Sequence, residues 1–284
     1  MAIAWAEAGS LARRRLAAMK DPALIATALV AGALTLLAVI GPWITPHDPD
    51  ATDVLASSQG PSAQHLLGTD SLGRDILSRA LAGARLSFAG PAMIVLISSV
   101  LGTAIAIFSA WHGGWIDRMV NRILNVMFSV PGILVAVLSS AVFGAGFWAP
   151  VLALGVVYTP YMARVVRSLA IRERHRGYVE SLQLAGMPSR QICLRHLVPN
   201  VMPIVVAQGT YGFGSALADF AAVSFIGLGI QPPQAEWGVM VSDGRSELLD
   251  GALQQSLVAG TLIVVTVVAF NVLGAQLSSR AGGR

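Results

Sequence analysis

From Ile123 to Ala163 the chain runs for 41 residues without a charged side chain. As a single α-helix this run would measure about 61 Å at ~1.5 Å per residue, twice the ~30 Å hydrocarbon core of a bilayer. It has to fold back once. Gly144-Ala145-Gly146-Phe147-Trp148-Ala149-Pro150 marks the turn, with Trp148 suited to a membrane interface. The run therefore predicts two spans, over 123–142 and 148–167.

The rest of the chain repeats the pattern. It is 55% hydrophobic and 12% charged, against roughly 25% charged in soluble domains. Residues 1–22 hold Arg13, Arg14, Arg15 and Lys20 and predict an amphipathic segment at the membrane surface. A charge-free stretch over 23–45 predicts the first span, too long for a signal-peptide core and followed by no small-residue cleavage site. Residues 46–85 form a polar insertion. Ile76, Ala80 and Ala84 recur at helical spacing near its end, predicting a short interfacial helix that feeds a span over 87–110. Further spans are expected over 200–222 and 256–277, inside a core of 86–284 that holds five of the six. The expected fold is an all-α polytopic membrane protein with six transmembrane helices.

The basic residues set the orientation. With the N-terminus inside, inside segments hold 15 of the 19 Lys and Arg residues and outside segments 4, as the positive-inside rule requires. Both termini and the loop 168–199 then lie in the cytoplasm. The net charge of +4 sits in short islands between apolar runs, so nucleic-acid binding is not expected. Membrane lipid is the expected surround.

Several chemistries are excluded. The sole lysine, Lys20, has no GxxxxGK[ST] loop before it, so the chain has no phosphate-cradling site for ATP. HExxH and GxSxG are absent, and no catalytic residue is assigned. A single cysteine, Cys193, leaves neither an intrachain disulfide nor a CxxC site. The histidines His47, His65, His112, His175 and His196 lie in separate loops, so neither a metal site nor a bound cofactor is expected. Ion-coupled carriers bury titratable groups in their spans. Asp219 is the one candidate, and helix packing is its simpler role. Gln208, Tyr211, Asn271 and Gln276 are read as helix–helix hydrogen-bonding residues before pathway-lining ones.

The polar island 168–199 holds the most informative stretch. Tyr178, Leu182 and Ala185 stand at i, i+4 and i+7, giving a short helix one apolar face. Gly186 supplies a left-handed turn, Pro188 stops the helix, and Ser189 is placed to cap a second one. Arg172, Arg174, Arg176, Arg190 and Arg195 flank it, suited to lipid headgroups or an acidic partner.

This stretch resembles the E-A-A-x(3)-G-x(9)-I-x-L-P signature of ATP-binding-cassette importer permeases. Glu180, Gly186 and Pro199 match it, while Ser181, Leu182, His196 and Val198 depart from it. Residues 65–87, His65-Leu66-Leu67-Gly68-Thr69-Asp70 through Gly73-Arg74-Asp75 to Gly83-Ala84-Arg85-Leu86-Ser87, are similar to a block of the dipeptide/oligopeptide/nickel permeases, in their second, C-type subunit. Ser224 to Pro233, with Glu236-Trp237-Gly238, resembles the same subunit's last outside loop, and Gln254-Gln255-Ser256 departs from it.

The resemblance implies the type I importer permease fold. It also implies a heterodimer with a homologous second permease, two ATPase subunits that bind ATP and Mg, and an extracytoplasmic solute-binding protein. It places a helix over 178–187 in a groove of an ATPase. The coupling residues it implies are Tyr178, Glu180, Ser181, Leu182, Ala185, Gly186, Pro188 and Arg190, with Leu182 and Ala185 packing in the groove. For Gly68, Thr69, Asp70, Gly73, Arg74 and Asp75, turn formation and helix capping is the first reading and contact with the binding protein the second. Gly227, Gly229, Pro232, Pro233 and Trp237 are expected to shape a rigid outside loop. The cargo expected is di- or oligopeptides. Nickel chelates, other small solutes, a secondary transporter or channel, and a membrane scaffold are the alternatives carried forward.

Overall fold

The computed structural model describes residues 22–247 and 251–282; the expected amphipathic segment before Pro22 lies outside them. Apart from one isolated bridge between Thr69 and Asp75, the described residues form helices and loops. The helices are α1 (Pro22–Ile40), α2 (Ile76–His112), α3 (Gly114–Phe128), α4 (Gly132–Phe143), α5 (Trp148–Arg174), α6 (Gly177–Leu184), α7 (Ser189–Ile192), α8 (Val198–Phe225), α9 (Trp237–Asp243) and α10 (Gln254–Gly282). A π-helical turn, Cys193–Leu197, joins α7 to α8.

Among the described residues five helical stretches are long and apolar enough to cross a membrane, built on α1, α2, α5, α8 and α10. The expected span over 123–142 is not one straight helix. It is broken between α3 and α4, which meet at 77°. Pro131 explains the break: its ring drives the preceding residue out of the helical region, and the chain restarts at Gly132 with Pro131 as N-cap. Counted as one bent unit, the pair makes a sixth crossing.

The helix expected before the second span is also different. It does not stop at the interface but continues as α2, 37 residues from Ile76 to His112. At ~1.5 Å per residue that is about 55 Å, well beyond the ~30 Å apolar core. Its first turns pack into the long loops, through Arg79 to Pro49 and Pro233 and through Ala80 to Trp237. Ile76, Ala80 and Ala84 are at most 3% exposed, so the stripe read from the sequence is a buried one.

Helices α2, α5, α8 and α10 make the principal contacts. Small residues let them approach: a Cβ on Gly102 would sit 2.7 Å from the Met162 side chain, and one on Gly274 2.3 Å from the Tyr211 backbone nitrogen. Such close crossings supply the dispersion contacts that replace a hydrophobic drive inside lipid. Asp219 is half-buried in α8 and accepts a 2.8 Å hydrogen bond from Tyr158 of α5, a packing role. Gln208 likewise bonds Tyr161 and Ser278.

The bundle has two unlike ends. The long-loop end holds residues 41–75, 226–247 and 251–253. The arginine-rich end holds the α2–α3 turn, α6 and α7.

Candidate functional site

At the arginine-rich end the short helix α6 is held by a buried acid that sequence reasoning passed over. Glu173, in the last turn of α5, is 4% exposed. Its Oε1 accepts hydrogen bonds from the Tyr178 hydroxyl at 2.9 Å and from Asn200 Nδ2 at 2.8 Å. Its Oε2 pairs with Arg176 at 3.0 Å. One carboxylate thus joins the end of α5, the start of α6 and the first turn of α8. Burial, then the hydrogen bond to Glu173, raises the Tyr178 phenol above its ordinary pKa, so the hydroxyl stays a donor.

Val179 is fully buried in the cluster formed by Ala170, Ile192, Leu197 and Val201, a burial that contributes about 1.5–3 kcal/mol. Tyr178, Leu182 and Met187 pack against the same cluster. Leu182, for which the resemblance implies packing in an ATPase groove, is half-buried and packs against the chain's own core. The outward face carries Glu180, Ser181, Leu184, Ala185 and Gly186. Leu184, which sequence reasoning did not single out, is 90% exposed. An unburied leucine on a helix otherwise fastened inward was the available signal.

The end of α6 is a Schellman turn. Met187 N–H donates to Leu182 O at 3.1 Å and Gly186 N–H to Gln183 O at 3.0 Å. Gly186 adopts φ of +78°, the left-handed conformation that glycine takes at least cost. Leu182 and Met187 occupy the two positions whose side chains commonly meet at this turn, and both pack against the same buried cluster. Pro188 is the N-cap of α7; Ser189 is its first residue and makes no side-chain cap, contrary to expectation. Arg190 is exposed on α7.

Nearby, Asp117 of α3 binds Arg167 of α5 through two hydrogen bonds, one of them 2.6 Å, and accepts another from Ser109 of α2. Arg174 donates to Ala110 O at 2.8 Å. Helices α2, α3 and α5 are thus clamped beside α6.

The long-loop end is a second clamp. Asp70 is fully buried; it accepts from Leu72 N–H at 3.0 Å, from Arg74 N–H at 2.8 Å and from Arg74 Nε at 2.6 Å. Gly68 and Gly73 take φ of +81° and +75°, and a Cβ on Gly73 would lie 1.8 Å from Asp53 O. The Thr69 hydroxyl donates to Ala56 O. Asp75 caps α2, accepting from Ser78 N–H at 2.8 Å. Burial raises the Asp75 pKa, but the bonds from Ser78 and His65 outweigh it and hold the carboxyl below its ordinary value.

Arg74 and Arg79 carry this clamp across to the second loop. Arg74 reaches Asp243 at 3.3 Å, and Arg79, fully buried, reaches Pro233 O at 3.3 Å and Pro49 O at 3.1 Å. Trp237 is fully buried and its indole N–H donates to Ala80 O at 3.0 Å. Glu236 caps α9, accepting from Val239 N–H and the Ser87 hydroxyl, each at 3.0 Å. Burial pushes the Glu236 carboxyl above its ordinary pKa despite these bonds. Gly227 turns the chain with φ of +81°, and a Cβ on Gly229 would lie 2.3 Å from Ser224 Oγ. Pro232 and Pro233 are exposed. The Gly68–Asp75 residues and Trp237 are thus engaged by the chain itself.

A bundle of long apolar helices with small-residue crossings and a polar clamp at each end is the architecture of a multi-pass membrane protein. Residues 102–281 match the family described as binding-protein-dependent transport system inner membrane component, and residues 9–61 match the N-terminal transmembrane domain of oligopeptide transport permease C. The chain is 34% identical over 255 residues to the dipeptide transport system permease protein DppC of Alkalihalophilus pseudofirmus, covering 90% of this chain and 84% of that one. It is 36% identical over 242 residues to the glutathione transport system permease protein GsiD of Escherichia coli, covering 85% and 80%. It is 33% identical over 268 residues to the probable D,D-dipeptide transport system permease protein DdpC of Escherichia coli, covering 93% and 90%. The chain belongs to the dipeptide/oligopeptide ATP-binding-cassette permeases, in their C-type branch, and is a multi-pass inner-membrane protein.

Proposed function

We propose that this chain forms half of a translocation pathway for di- or oligopeptides, with both termini and the arginine-rich end in the cytoplasm. Its partners are a homologous permease, two ATPase subunits and an extracytoplasmic binding protein. The chain itself performs no hydrolysis. The peptide reading is supported by relatives whose names specify dipeptide, glutathione and D,D-dipeptide transport. The orientation is supported by the excess of Lys and Arg in the segments at that end.

The observation that carries the coupling role is the mounting of α6. Its inner face is fastened through Val179 and Glu173, while Glu180, Ser181, Leu184 and Ala185 are presented to solvent. A helix fixed on one side and free on the other transmits a push from an ATPase groove into α5 and α8. Glu180 lies in the first turn, where an acid suits the helix dipole. Leu184 and Ala185 fill the groove, and Arg190 contacts its rim. At the opposite end the clamp gives the binding protein a rigid surface.

The test is reconstitution of the two permeases and two ATPase subunits in vesicles, with the binding protein added. ATP-dependent uptake of a labelled dipeptide, requiring the binding protein, is the expected result. Undiminished uptake after removal of the ATPases, driven by an ion gradient, would sink the reading.

A further inference from the structure

We infer that His47, His65 and Asp75 form a binding site for a divalent transition-metal ion of the zinc type. The three come from separate stretches. His47 follows the 3₁₀ turn Gly41–Trp43 that ends the first span, His65 lies in the loop before Gly68, and Asp75 is the N-cap of α2. Because 18 residues separate the histidines in sequence, no ligand spacing announces the group; the loop fold alone assembles it.

The two imidazole rings lie 4.9 Å apart. Nδ1 of His65 is 3.0 Å from Asp75 Oδ1, and Nδ1 of His47 is 3.9 Å from Asp75 Oδ2. One donor atom from each residue falls within 4.8 Å of the others. Zinc holds nitrogen and oxygen donors at about 2.0–2.2 Å, which places tetrahedral donors a little over 3 Å apart. Small rotations of the rings close the gap. Two imidazoles and one carboxylate suit zinc, nickel or copper better than magnesium or calcium.

The carboxylate is already oriented for the purpose. Ser78 N–H and its hydroxyl hold Asp75 Oδ2 at 2.8 and 2.7 Å, and Ser78 Oγ accepts His47 N–H at 3.0 Å. One serine thus positions two of the three ligands, as the outer shell of a metal site does. Side-chain exposure rises from 3% at Asp75 through 19% at His65 to 44% at His47. The ion would keep a solvent-facing position for water, the pattern of a site with three protein ligands. A metal-free hydrogen bond accounts for His65 but not for His47, whose ring nitrogen faces the second carboxylate oxygen from beyond hydrogen-bonding distance. The positive end of α2 opposes a cation here, so an exchangeable ion is expected rather than a permanent one. Bound, it staples the end of α1 to the start of α2.

The test uses the whole purified transporter, stripped by a chelator and titrated with Zn²⁺ against a chromophoric competitor. Wild type should hold a zinc ion that His47→Ala loses or binds about tenfold more weakly or worse. Co²⁺ should give the visible bands of four-coordinate geometry in wild type and not in His47→Ala, and His47→Asp should restore binding. His47→Gln, which keeps the side chain's bulk, serves the same comparison if the alanine variant fails to assemble. Equal zinc affinity and stoichiometry in wild type, His47→Ala and His47→Gln, without the Co²⁺ bands, would overturn the assignment.

Discussion

The Tyr178 hydroxyl donates a 2.9 Å hydrogen bond to the buried carboxylate of Glu173, and the same carboxylate binds Asn200 at the foot of α8. Tyr178→Phe removes one bond from this junction and should cost about 0.5–1.5 kcal/mol of stability. Its larger effect is expected on coupling. Peptide-stimulated ATP hydrolysis should fall while complex assembly, followed by size-exclusion chromatography, is retained. Unchanged stimulation would show that the junction does not carry the stroke.

Leu182 and Leu184 lie two residues apart and face opposite ways. Leu184→Glu should leave membrane insertion and thermal stability within about 0.5 kcal/mol of wild type, as surface changes do, while weakening ATPase association by about tenfold or more. Leu182→Ala should do the reverse, lowering the unfolding temperature with little loss of association once folded. Pull-down of the ATPase subunits and a thermal melt separate the two.

Gly186 is predicted to tolerate asparagine better than valine. Its φ of +78° costs a β-carbon-bearing residue about 1–2 kcal/mol, least for Asn. No neighbouring atom crowds a β-carbon there, so the penalty is conformational. A graded loss of uptake in the order Gly, Asn, Ala, Val would bear this out; equal loss for all three substitutions would point to contact with the ATPase instead.

At the long-loop end, Asp70→Asn should destabilise the protein by about 3–5 kcal/mol, because it strands buried guanidinium charge. The Arg74 side chain is 4% exposed and that of Arg79 0%. A melting temperature in detergent unchanged from wild type would refute the estimate.

Glu236 and Asp75 give opposite pH signatures. The carboxyl of Glu236 is raised by burial, so ionisation is costlier folded than unfolded. Its contribution is fully present below the unfolded value and is lost as pH rises through the higher folded one. Asp75 is lowered; its contribution holds above the ordinary carboxylate value and is lost as pH falls through the folded one. Between the ordinary carboxylate value and neutrality the Glu236 signature dominates. Wild type should gain stability relative to Glu236→Gln as pH is lowered through that window, and a pH-independent difference in melting temperature would contradict it.

The charge-free runs made most of the bundle legible, because a membrane leaves an apolar helix few alternatives. Two features escaped for physical reasons. Hydropathy is blind to the break at Pro131, since the stretches 123–130 and 132–142 on either side of it are both free of charge and only the backbone restriction divides them. The length of α2 was hidden because Arg79, a charge that normally ends a span, is neutralised by Asp70, Asp50 and Asp243, acids that only the folded loops bring to it. At the site, the turn at Gly186 was readable from the residue type. Which leucine faces outward was not, since the apolar spacing of 178, 182 and 185 fits more than one rotation of so short a helix. Glu173 was concealed among arginines, where an acid reads as surface charge.

Helix α2 begins in one polar clamp, through Asp75 and Arg79, and ends in the other, through Ser109 and the carbonyl of Ala110. A helix can tilt or roll but does not lengthen appreciably. Movement imposed at the arginine-rich end therefore arrives at the long loops as a change of angle with no delay and no slack. The long-loop end is geared to the arginine-rich end by a single piece of secondary structure.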